Sequence, residues 1–177
     1  MLFLPTELPG VFVVEPEPTA DARGLFARTY CADEFAAHGL CTRWVQCNAS
    51  FNARAGTLRG MHWQDAPHDE VKLVRCTSGA AVDVVADARP GSPTYRKWVA
   101  VELTAANRRA VYIPGGYAHG FQTLSDATEL FYQMSTFYAP GAACGARWDD
   151  PALGIVWPPC ETRVMSERDL LFPDLPL

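Results

Sequence analysis

Residues 109–123, RAVYIPGGYAHGFQT, decide how the rest of this chain is interpreted. Two short runs of strand-forming residues, 109–113 and 119–123, flank the segment IPGGY. Glycine and proline between such runs are typical of a tight turn that joins two β-strands. The stretch therefore predicts two strands joined by a turn, with His119 at the start of the second strand.

The same pattern continues on both sides of this stretch. Only 31–38, closed by Gly39, and SERDLL at 166–171, where Ser166 is a candidate N-cap, resemble helices. Many short strands with Gly/Pro punctuation indicate a β-sandwich or jelly roll, so we predict one all-β domain over residues 1–177. The further strand-like runs are 11–15, 24–30, 43–51, 57–64, 70–76, 80–86, 95–103 and 128–138.

The composition narrows the class of protein. With 177 residues, 49% of them hydrophobic, the chain is long enough for one well-buried domain and short for two. Its net charge of −5 argues against nucleic acid, and no apolar run reaches the roughly 20 residues of a membrane helix. The N-terminus lacks the basic start of a secretory signal, and the six cysteines form no C-x-x-C pair. We therefore expect a cytoplasmic protein with reduced thiols and no membrane partner.

Three polar side chains occupy positions where strands usually carry apolar residues. They are His62 in TLRGMHWQ, Lys72 in VKLVRC and Tyr132 in TELFYQMSTFY. The chain has only one other lysine, Lys97, so a lysine between two apolar residues is a poor candidate for generic surface charge. A base, a cation and a phenol that face one barrel lumen are the set needed to deprotonate a carbon next to a carbonyl and reprotonate it.

Strand alternation indicates which other side chains share this lumen, and it places Tyr138 on the same face of the run 128–138 as Tyr132. Gln46 and Asn48 fall on one face of the run 43–51, and their polarity among apolar neighbours indicates ligand contacts. Arg59 and His62 have opposite parity in a regular strand. Gly60 between them permits a β-bulge, which would bring both side chains to one face.

Each of these residues also has a purely structural interpretation. His62 alone is equally well explained as a half-buried histidine bonded to a backbone carbonyl, and Tyr132 alone as a core residue. Asp83, in AVDVVA, would pair with Lys72 if burial forces both charges to be satisfied. The functional interpretation therefore rests on the joint pattern.

The segment PGGYAHGF at 114–121 fits the P-x-G-x-x-H pattern of the second motif of the cupins. A metal-binding cupin also needs H-x-H followed by a glutamate in its first motif. The corresponding stretch here is His62-Trp63-Gln64, with no suitably spaced glutamate. Two histidines without the remaining ligands make a poor transition-metal site, so a metal-dependent cupin oxygenase is disfavoured.

Motifs along nearly the whole chain resemble those of the dTDP-4-dehydrorhamnose 3,5-epimerases, which are non-metal cupins that epimerise nucleotide-linked 4-keto-6-deoxy sugars. The resemblance implies a double-stranded β-helix, or cupin-type jelly-roll barrel, with a few short peripheral helices. It also implies a homodimer, a nucleotide-diphosphate sugar as substrate and no cofactor. The matching stretches include DARGLF (21–26), VQCNAS (45–50), GTLRGMHWQ (56–64), VKLVRCTSG (71–79), DVVADARPGSPTY (83–95), YIPGGYAHGFQTLSD (112–126), RWDDPALGIVWP (147–158) and MSERD (165–169).

The resemblance also implies roles for individual residues. His62 corresponds to the family's base, Asp169 to the carboxylate that orients it, and Tyr132 to the acid on the opposite face of the sugar. Lys72 corresponds to the cation near the C4 ketone oxygen. Arg23 would cross to the partner subunit, so that each site uses both chains. The substrate contacts implied in this way are Arg23, Arg28, Gln46, Asn48, Arg59, His119, Tyr138 and Arg168.

Two positions depart from the family pattern. Arg28 stands where a glutamate is usual, and Ala143 stands near a position that is usually acidic. Both departures leave the nucleobase, the sugar and the reacting carbon open. The alternatives are an epimerase of C3 or C5 alone that acts on a CDP- or GDP-linked 4-keto sugar, a ketoisomerase of the same fold, and a non-catalytic sugar-nucleotide-binding cupin.

Overall fold

The structure, a computed structural model, describes residues 1–175. The prediction of one domain over residues 1–177 includes two residues outside the described part and stays a prediction. Two short α-helices, α1 (Ala32–Ala37) and α2 (Glu167–Leu170), accompany the strands. The strands are β1 (Leu2–Pro5), β2 (Phe12–Glu15), β3 (Thr19–Asp21), β4 (Gly24–Phe26), β5 (Gln46–Asn52), β6 (Leu58–Gln64), β7 (Lys72–Ser78), β8 (Ala80–Asp87), β9 (Trp98–Thr104), β10 (Ala110–Ile113), β11 (Tyr117–Thr123), β12 (Thr128–Met134) and β13 (Ala143–Gly145).

The strands form two antiparallel sheets that face each other as a jelly roll, which is the predicted all-β fold. One sheet has the order β1-β2-β10-β7-β12-β5, and the other has the order β13-β6-β11-β8-β9. Strands β3 and β4 form a separate two-stranded hairpin. The turn at 114–116 carries the chain from one large sheet to the other, so its two strands are not hydrogen-bonded to each other. The fold thus places β10 and β11 on opposite sides of one lumen.

Alternating side chains separate the lumen from the outer faces of the sheets. On β8, Val85 points into the core between the sheets, whereas Val84 packs against the C-terminal segment together with Trp157. The outer face of the six-stranded sheet is covered by α1, whose Phe35 is fully buried against Tyr112 and its neighbours. Burial of such side chains contributes about 1.5–3 kcal/mol each. The apolar core fills part of the lumen and leaves the rest as a pocket.

The predicted strands correspond closely to the observed ones, and the largest differences are at the ends of two runs. The run 24–30 forms a strand only over Gly24–Phe26, and the run 128–138 ends at Met134. Ser135 and Thr136 bond back to the segment 69–71, and this interaction turns the chain out of the sheet. Tyr138 therefore does not continue the strand face of Tyr132, as the alternation had predicted. Strands β1, β3 and β13, of three or four residues each, were not predicted.

Both predicted helices are present, and the predicted cap is confirmed. The Ser166 hydroxyl accepts a hydrogen bond from the backbone N–H of Asp169 at 3.1 Å, as an N-cap does. This cap determines where α2 begins and thus where the Asp169 side chain is presented. Among residues 1–175, no helix is long and apolar enough to cross a membrane.

Candidate active site

A pocket of ≈270 Å³ lies between the two sheets. Strands β5, β7 and β12 line it from one sheet, and β6 and β11 line it from the other. A larger surface pocket of ≈420 Å³ lies near Arg54 and Cys160, but no histidine, lysine or tyrosine is among the described residues that line it. The smaller pocket is therefore the site of interest. Its lining residues are Asn48, Ser50, Arg59, His62, Glu70, Lys72, His119, Phe121, Tyr132 and Met134.

His62 and Asp169 form a hydrogen-bonded dyad at this pocket. The Nε2 of His62 lies 2.8 Å from Oδ1 of Asp169, and the Gly60 N–H donates to Oδ2 at 3.1 Å. Burial by itself raises the pKa of Asp169, but hydrogen bonds from His62 and Gly60 hold that pKa below its ordinary value. An ionised Asp169 keeps the proton on Nε2, which leaves Nδ1 as the basic nitrogen of a neutral His62. The dyad is thus arranged as a base with its orienting carboxylate.

A β-bulge at Gly60 brings Arg59 and His62 to the same side of β6. His62 lies opposite His119 and Arg59 opposite Phe121, so β6 carries one residue more than β11 over this interval. Both Arg59 and His62 consequently line the pocket. The bulge inferred from the sequence is confirmed.

Gly60 is required at this bulge for a steric reason. Its φ is +136°, and a Cβ at this position would lie 2.5 Å from the Cα of Gly120 on the neighbouring strand. Backbone atoms cannot move aside as the end of a flexible side chain can. The glycine therefore permits the close approach of β6 and β11 that aligns His62 with His119.

We expect Gly60→Ala to lower the free energy of unfolding by more than the roughly 1–3 kcal/mol that a strained backbone conformation costs. The added Cβ must push β6 away from β11, which also displaces His62. Gly91→Ala is the matched control, because Gly91 also has a positive φ, +83°, but no atom lies within 4 Å of its added Cβ. Denaturant unfolding of both variants checks the prediction. Equal losses of stability in the two variants would contradict it.

Lys72 is buried in the pocket, with only 5% of the residue exposed. Its Nζ donates to Oε1 of Glu70 at 3.1 Å and to the backbone carbonyl of His62 at 3.3 Å. Asp83 interacts with Lys72 only by electrostatic attraction, without a hydrogen bond. The structural interpretation of Asp83 as the ion-pair partner of Lys72 is therefore wrong. The partner of Lys72 is Glu70, two residues earlier in the chain, which the pattern analysis did not single out.

Asp83 pairs instead with His119, 2.8 Å from Oδ2 to Nε2. Both side chains are buried, and Oδ1 of Asp83 has no hydrogen-bond partner among the described residues. Burial raises the pKa of Asp83, and the nearby charges of His119 and Lys72 only partly oppose it. The pocket thus contains a second histidine–carboxylate pair, one that is more deeply buried than His62 and Asp169.

Tyr132 reaches the pocket from β12, on the sheet opposite His62. Its ring meets the ring of His119 edge-on, with 5.9 Å between centroids. Burial, reinforced by the negative charge of Asp83, raises the pKa of Tyr132 far above its ordinary value. The phenol is therefore held in its protonated form, in which it can donate a proton.

The structure brings several of the expected substrate contacts together. Asn48 and Arg59 line the pocket, and Arg59 Nε donates to Asn52 Oδ1 at 2.9 Å. Gln46 Oε1 accepts a hydrogen bond from the backbone N–H of Tyr138 at 3.4 Å, so these two residues lie together beside Asn48. His119 is part of the pocket wall. Arg168 lies next to Asp169 in α2 and stacks on Phe172, 5.5 Å from the ring centroid.

Arg23 and Arg28 do not line this pocket within one chain. Arg23 is at the turn of the β3–β4 hairpin, with 90% of its side chain exposed, and it pairs with Asp21 at 2.6 Å. Arg28 pairs with Glu34 at 2.9 Å and lines a different surface pocket together with Phe26. Their assignment as substrate contacts stays a prediction, and for Arg23 it requires a second subunit.

Among residues 1–175, no group of three or more His, Cys, Asp or Glu side chains is placed to hold a metal ion. In the pocket, the Nε2 atoms of His62 and His119 are each engaged by a carboxylate. Metal independence of the reaction itself stays a prediction.

Two polar residues at the site were not predicted as such: Glu70, which lines the pocket, and Gln64, which bonds to Glu70. Glu70 opens the predicted run 70–76, where alternation puts it on the same face as Lys72, but in the structure it lies in the irregular segment before β7. Gln64 was considered only as the residue that replaces a metal-binding histidine. The sequence feature that could have identified Glu70 is its position two residues before Lys72.

The sequence model of the dTDP-4-dehydrorhamnose 3,5-epimerase family matches residues 5–176. A dTDP-4-dehydrorhamnose 3,5-epimerase from Sinorhizobium fredii is 41% identical over 175 residues, which cover 99% of this chain and 90% of the relative. A dTDP-4-dehydrorhamnose 3-epimerase from Streptomyces niveus is 42% identical over 170 residues, which cover 96% and 81% of the two chains.

Solved structures give the same result. The crystal structure of dTDP-6-deoxy-D-glucose-3,5-epimerase from Legionella pneumophila, in complex with dTDP-4-keto-L-rhamnose, superposes with a TM-score of 0.93. The two chains are 34% identical, and the match covers 98% of this chain and 92% of the other. These similarities confirm the predicted cupin-type jelly roll, and the chain belongs to the dTDP-4-dehydrorhamnose 3,5-epimerase family.

Proposed function

We propose that this protein epimerises C3, C5 or both of a nucleotide-activated 4-keto-6-deoxy sugar through an enolate, without a cofactor. The observation that carries the proposal is that His62 and Tyr132 enter one pocket from opposite sheets. A base on one face of a sugar and an acid on the other are what inversion of a carbon centre requires. Membership of the epimerase family supports this assignment.

His62 acts as the base in this proposal. The C–H groups at C3 and C5 both flank the C4 ketone, so loss of either proton gives an enolate whose charge rests on O4. Asp169 fixes the tautomer of His62 and stabilises its protonated form, as the third group does in a catalytic triad. The 2.8 Å contact between Nε2 and Oδ1 supports these roles.

Lys72 stabilises the enolate. A buried ammonium that is in position before the reaction lowers the barrier without reorganisation at the moment when charge develops on O4. His119, which also lines the pocket, contributes a second polar group near this oxygen. Tyr132 then delivers its proton to the face opposite His62, and the centre inverts.

The curated 3-epimerase from Streptomyces niveus, 42% identical to this chain, supports a second candidate, epimerisation at C3 alone. A ketoisomerase would use the same base and the same enolate but would move the ketone. A non-catalytic binding protein has no use for an ionised Asp169 behind His62 or for a protonated Tyr132 opposite it. The geometry therefore favours catalysis over binding alone.

Solvent exchange tests the proposal. Incubation of dTDP-4-keto-6-deoxyglucose with the protein in deuterated water should place deuterium at C3, C5 or both, as measured by NMR. Label at C3 alone would identify a 3-epimerase, and a ketone at C3 in the product would identify a ketoisomerase. If 4-keto sugars linked to several nucleobases all bind but acquire no label, the protein is a binding module.

The dimer and the cellular location are part of the same proposal. The β3–β4 hairpin stands apart from both sheets and exposes Leu25 and Phe26, the latter at 79%, next to Arg23. These features favour a homodimer in which the hairpin of one chain packs on the other and brings Arg23 to its pocket. All six cysteines are free thiols, as expected of a cytoplasmic protein.

A further inference from the structure

Glu70 occupies the wall of the pocket, where its charge meets that of Lys72. Its side chain is 8% exposed, and its Oε1 lies 3.1 Å from the Lys72 Nζ. The Lys72 side chain is as buried as that of Glu70. If Glu70 is removed, the buried ammonium therefore keeps only one hydrogen-bond acceptor, the His62 backbone carbonyl at 3.3 Å. Breaking a buried ion pair on one side costs about 3–5 kcal/mol for this reason.

The second oxygen of Glu70 is held by Gln64. Gln64 Nε2 donates to Oε2 of Glu70 at 3.2 Å and to the carbonyls of His68 and Phe137 at 2.9 and 3.4 Å. Gln64 Oε1 accepts from the backbone N–H of Ala139 at 2.7 Å. Because a backbone N–H can only donate, this bond fixes the amide orientation and turns the NH₂ group of Gln64 towards Glu70.

The side chain at position 70 must therefore accept two hydrogen bonds, one from Lys72 and one from Gln64. Lys72 and Gln64 both present donors, and only a carboxylate offers two acceptor oxygens. The same Gln64 amide ties down the segment 137–139, which contains Tyr138. The position of the ammonium and the position of this segment are thus linked through two side chains.

We propose that Glu70 is a positioning residue that holds the Lys72 ammonium where charge develops on the substrate and links it, through Gln64, to the segment bearing Tyr138. This inference rests on the proposed function, in which Lys72 faces O4. Glu70 transfers no proton in this arrangement. It sets the place of the cation before the substrate binds, which is the condition for stabilisation without reorganisation.

Glu70→Gln is the direct test, because it preserves shape and removes one acceptor. If the new amide oxygen faces Lys72, its NH₂ group meets the NH₂ group of Gln64. If it faces Gln64, the NH₂ group meets the ammonium. Neither orientation avoids a donor against a donor, and both remove the negative charge that faces the ammonium, so we expect Lys72 to shift. We expect kcat for exchange and epimerisation to fall about 10–100-fold, the order expected for a displacement near 1 Å, with dTDP affinity unchanged within a few-fold.

Two further variants separate positioning from charge or folding. Glu129→Gln, the matched control, removes a carboxylate that bonds Thr77 at 2.7 Å outside the pocket, and it should leave kcat unchanged. Glu70→Asp keeps the charge and both acceptors but is too short to reach both Lys72 and Gln64. It should fold and give an intermediate loss of kcat.

The shape of the pH–rate profile distinguishes the two roles that Glu70 can have. A uniform drop in rate at all pH values supports positioning, whereas loss of one limb would make Glu70 a proton-transfer group and overturn the proposal. A kcat of Glu70→Gln equal to that of the wild type would also overturn it. If the wild type proves inactive, the proposed function fails, and a crystal structure of Glu70→Gln still decides: an unmoved Lys72 Nζ refutes positioning, and a displaced Nζ supports it.

Discussion

The His62→Ala enzyme should exchange no substrate C–H proton with solvent at either C3 or C5. His62 is the pocket histidine whose Nε2 bonds to Asp169, a carboxylate whose pKa is held below its ordinary value, so its Nδ1 is the nitrogen available to accept the substrate proton. Loss of a general base typically lowers the rate about 10²–10⁴-fold. Deuterium incorporation measured by NMR, at saturating nucleotide sugar, checks the prediction.

His68→Ala is the control for this experiment. His68 is an exposed histidine on the loop after β6, and only its backbone carbonyl takes part in the hydrogen bonds around the pocket. The variant should exchange protons at the wild-type rate, and both variants should bind dTDP as the wild type does. A His62→Ala enzyme within a few-fold of wild type would refute the assignment of His62 as the base.

Tyr132→Phe should separate exchange from inversion. The variant retains His62, which still removes a proton and returns it to the face from which it came. It loses the phenol that the buried environment keeps protonated on the opposite sheet. We expect inversion to fall about 10²–10⁴-fold, the loss typical of a general acid, with exchange much less affected.

The measurement compares deuterium incorporation with the stereochemistry of the product in the same sample. Tyr30→Phe is the control, because Tyr30 donates its hydroxyl to the Thr42 carbonyl at 2.9 Å outside the pocket. Its rates of exchange and inversion should both match the wild type. Equal losses of exchange and inversion in Tyr132→Phe would mean that Tyr132 does not act as a separate acid opposite His62.

Local signals in the sequence were sufficient for most of the secondary structure and for part of the site. Alternation along β5 and β12 correctly placed Asn48 and Tyr132 towards the lumen, because the side chains of a strand point to alternate faces. Gly60 correctly indicated the bulge that unites Arg59 and His62. Alternation does not apply to Tyr138, since the strand ends at Met134 and the chain then bends.

The pairing of charges inside the pocket could not be predicted from these local signals. Asp83 and Lys72 both face the lumen, and they were paired because they were the only two opposite charges considered. In the structure, Asp83 binds His119 and Lys72 binds Glu70. Choosing among several opposite charges in one lumen requires their relative distances, which depend on the register of β7, β8 and β11 and on the course of the loop before β7.

The sequence by itself determined the strand pattern, the bulge, the family and the residue types that carry the chemistry. Each of these depends on neighbours in the chain or on motifs at fixed spacing. Only the tertiary structure decided that Asp83 pairs with His119, that Glu70 pairs with Lys72, and that Gln64 bonds to the second oxygen of Glu70. The physical reason is that hydrogen bonds over 2.7–3.3 Å depend on how distant strands and loops pack, and Gln64 bonds to the Ala139 N–H across 75 positions of the chain.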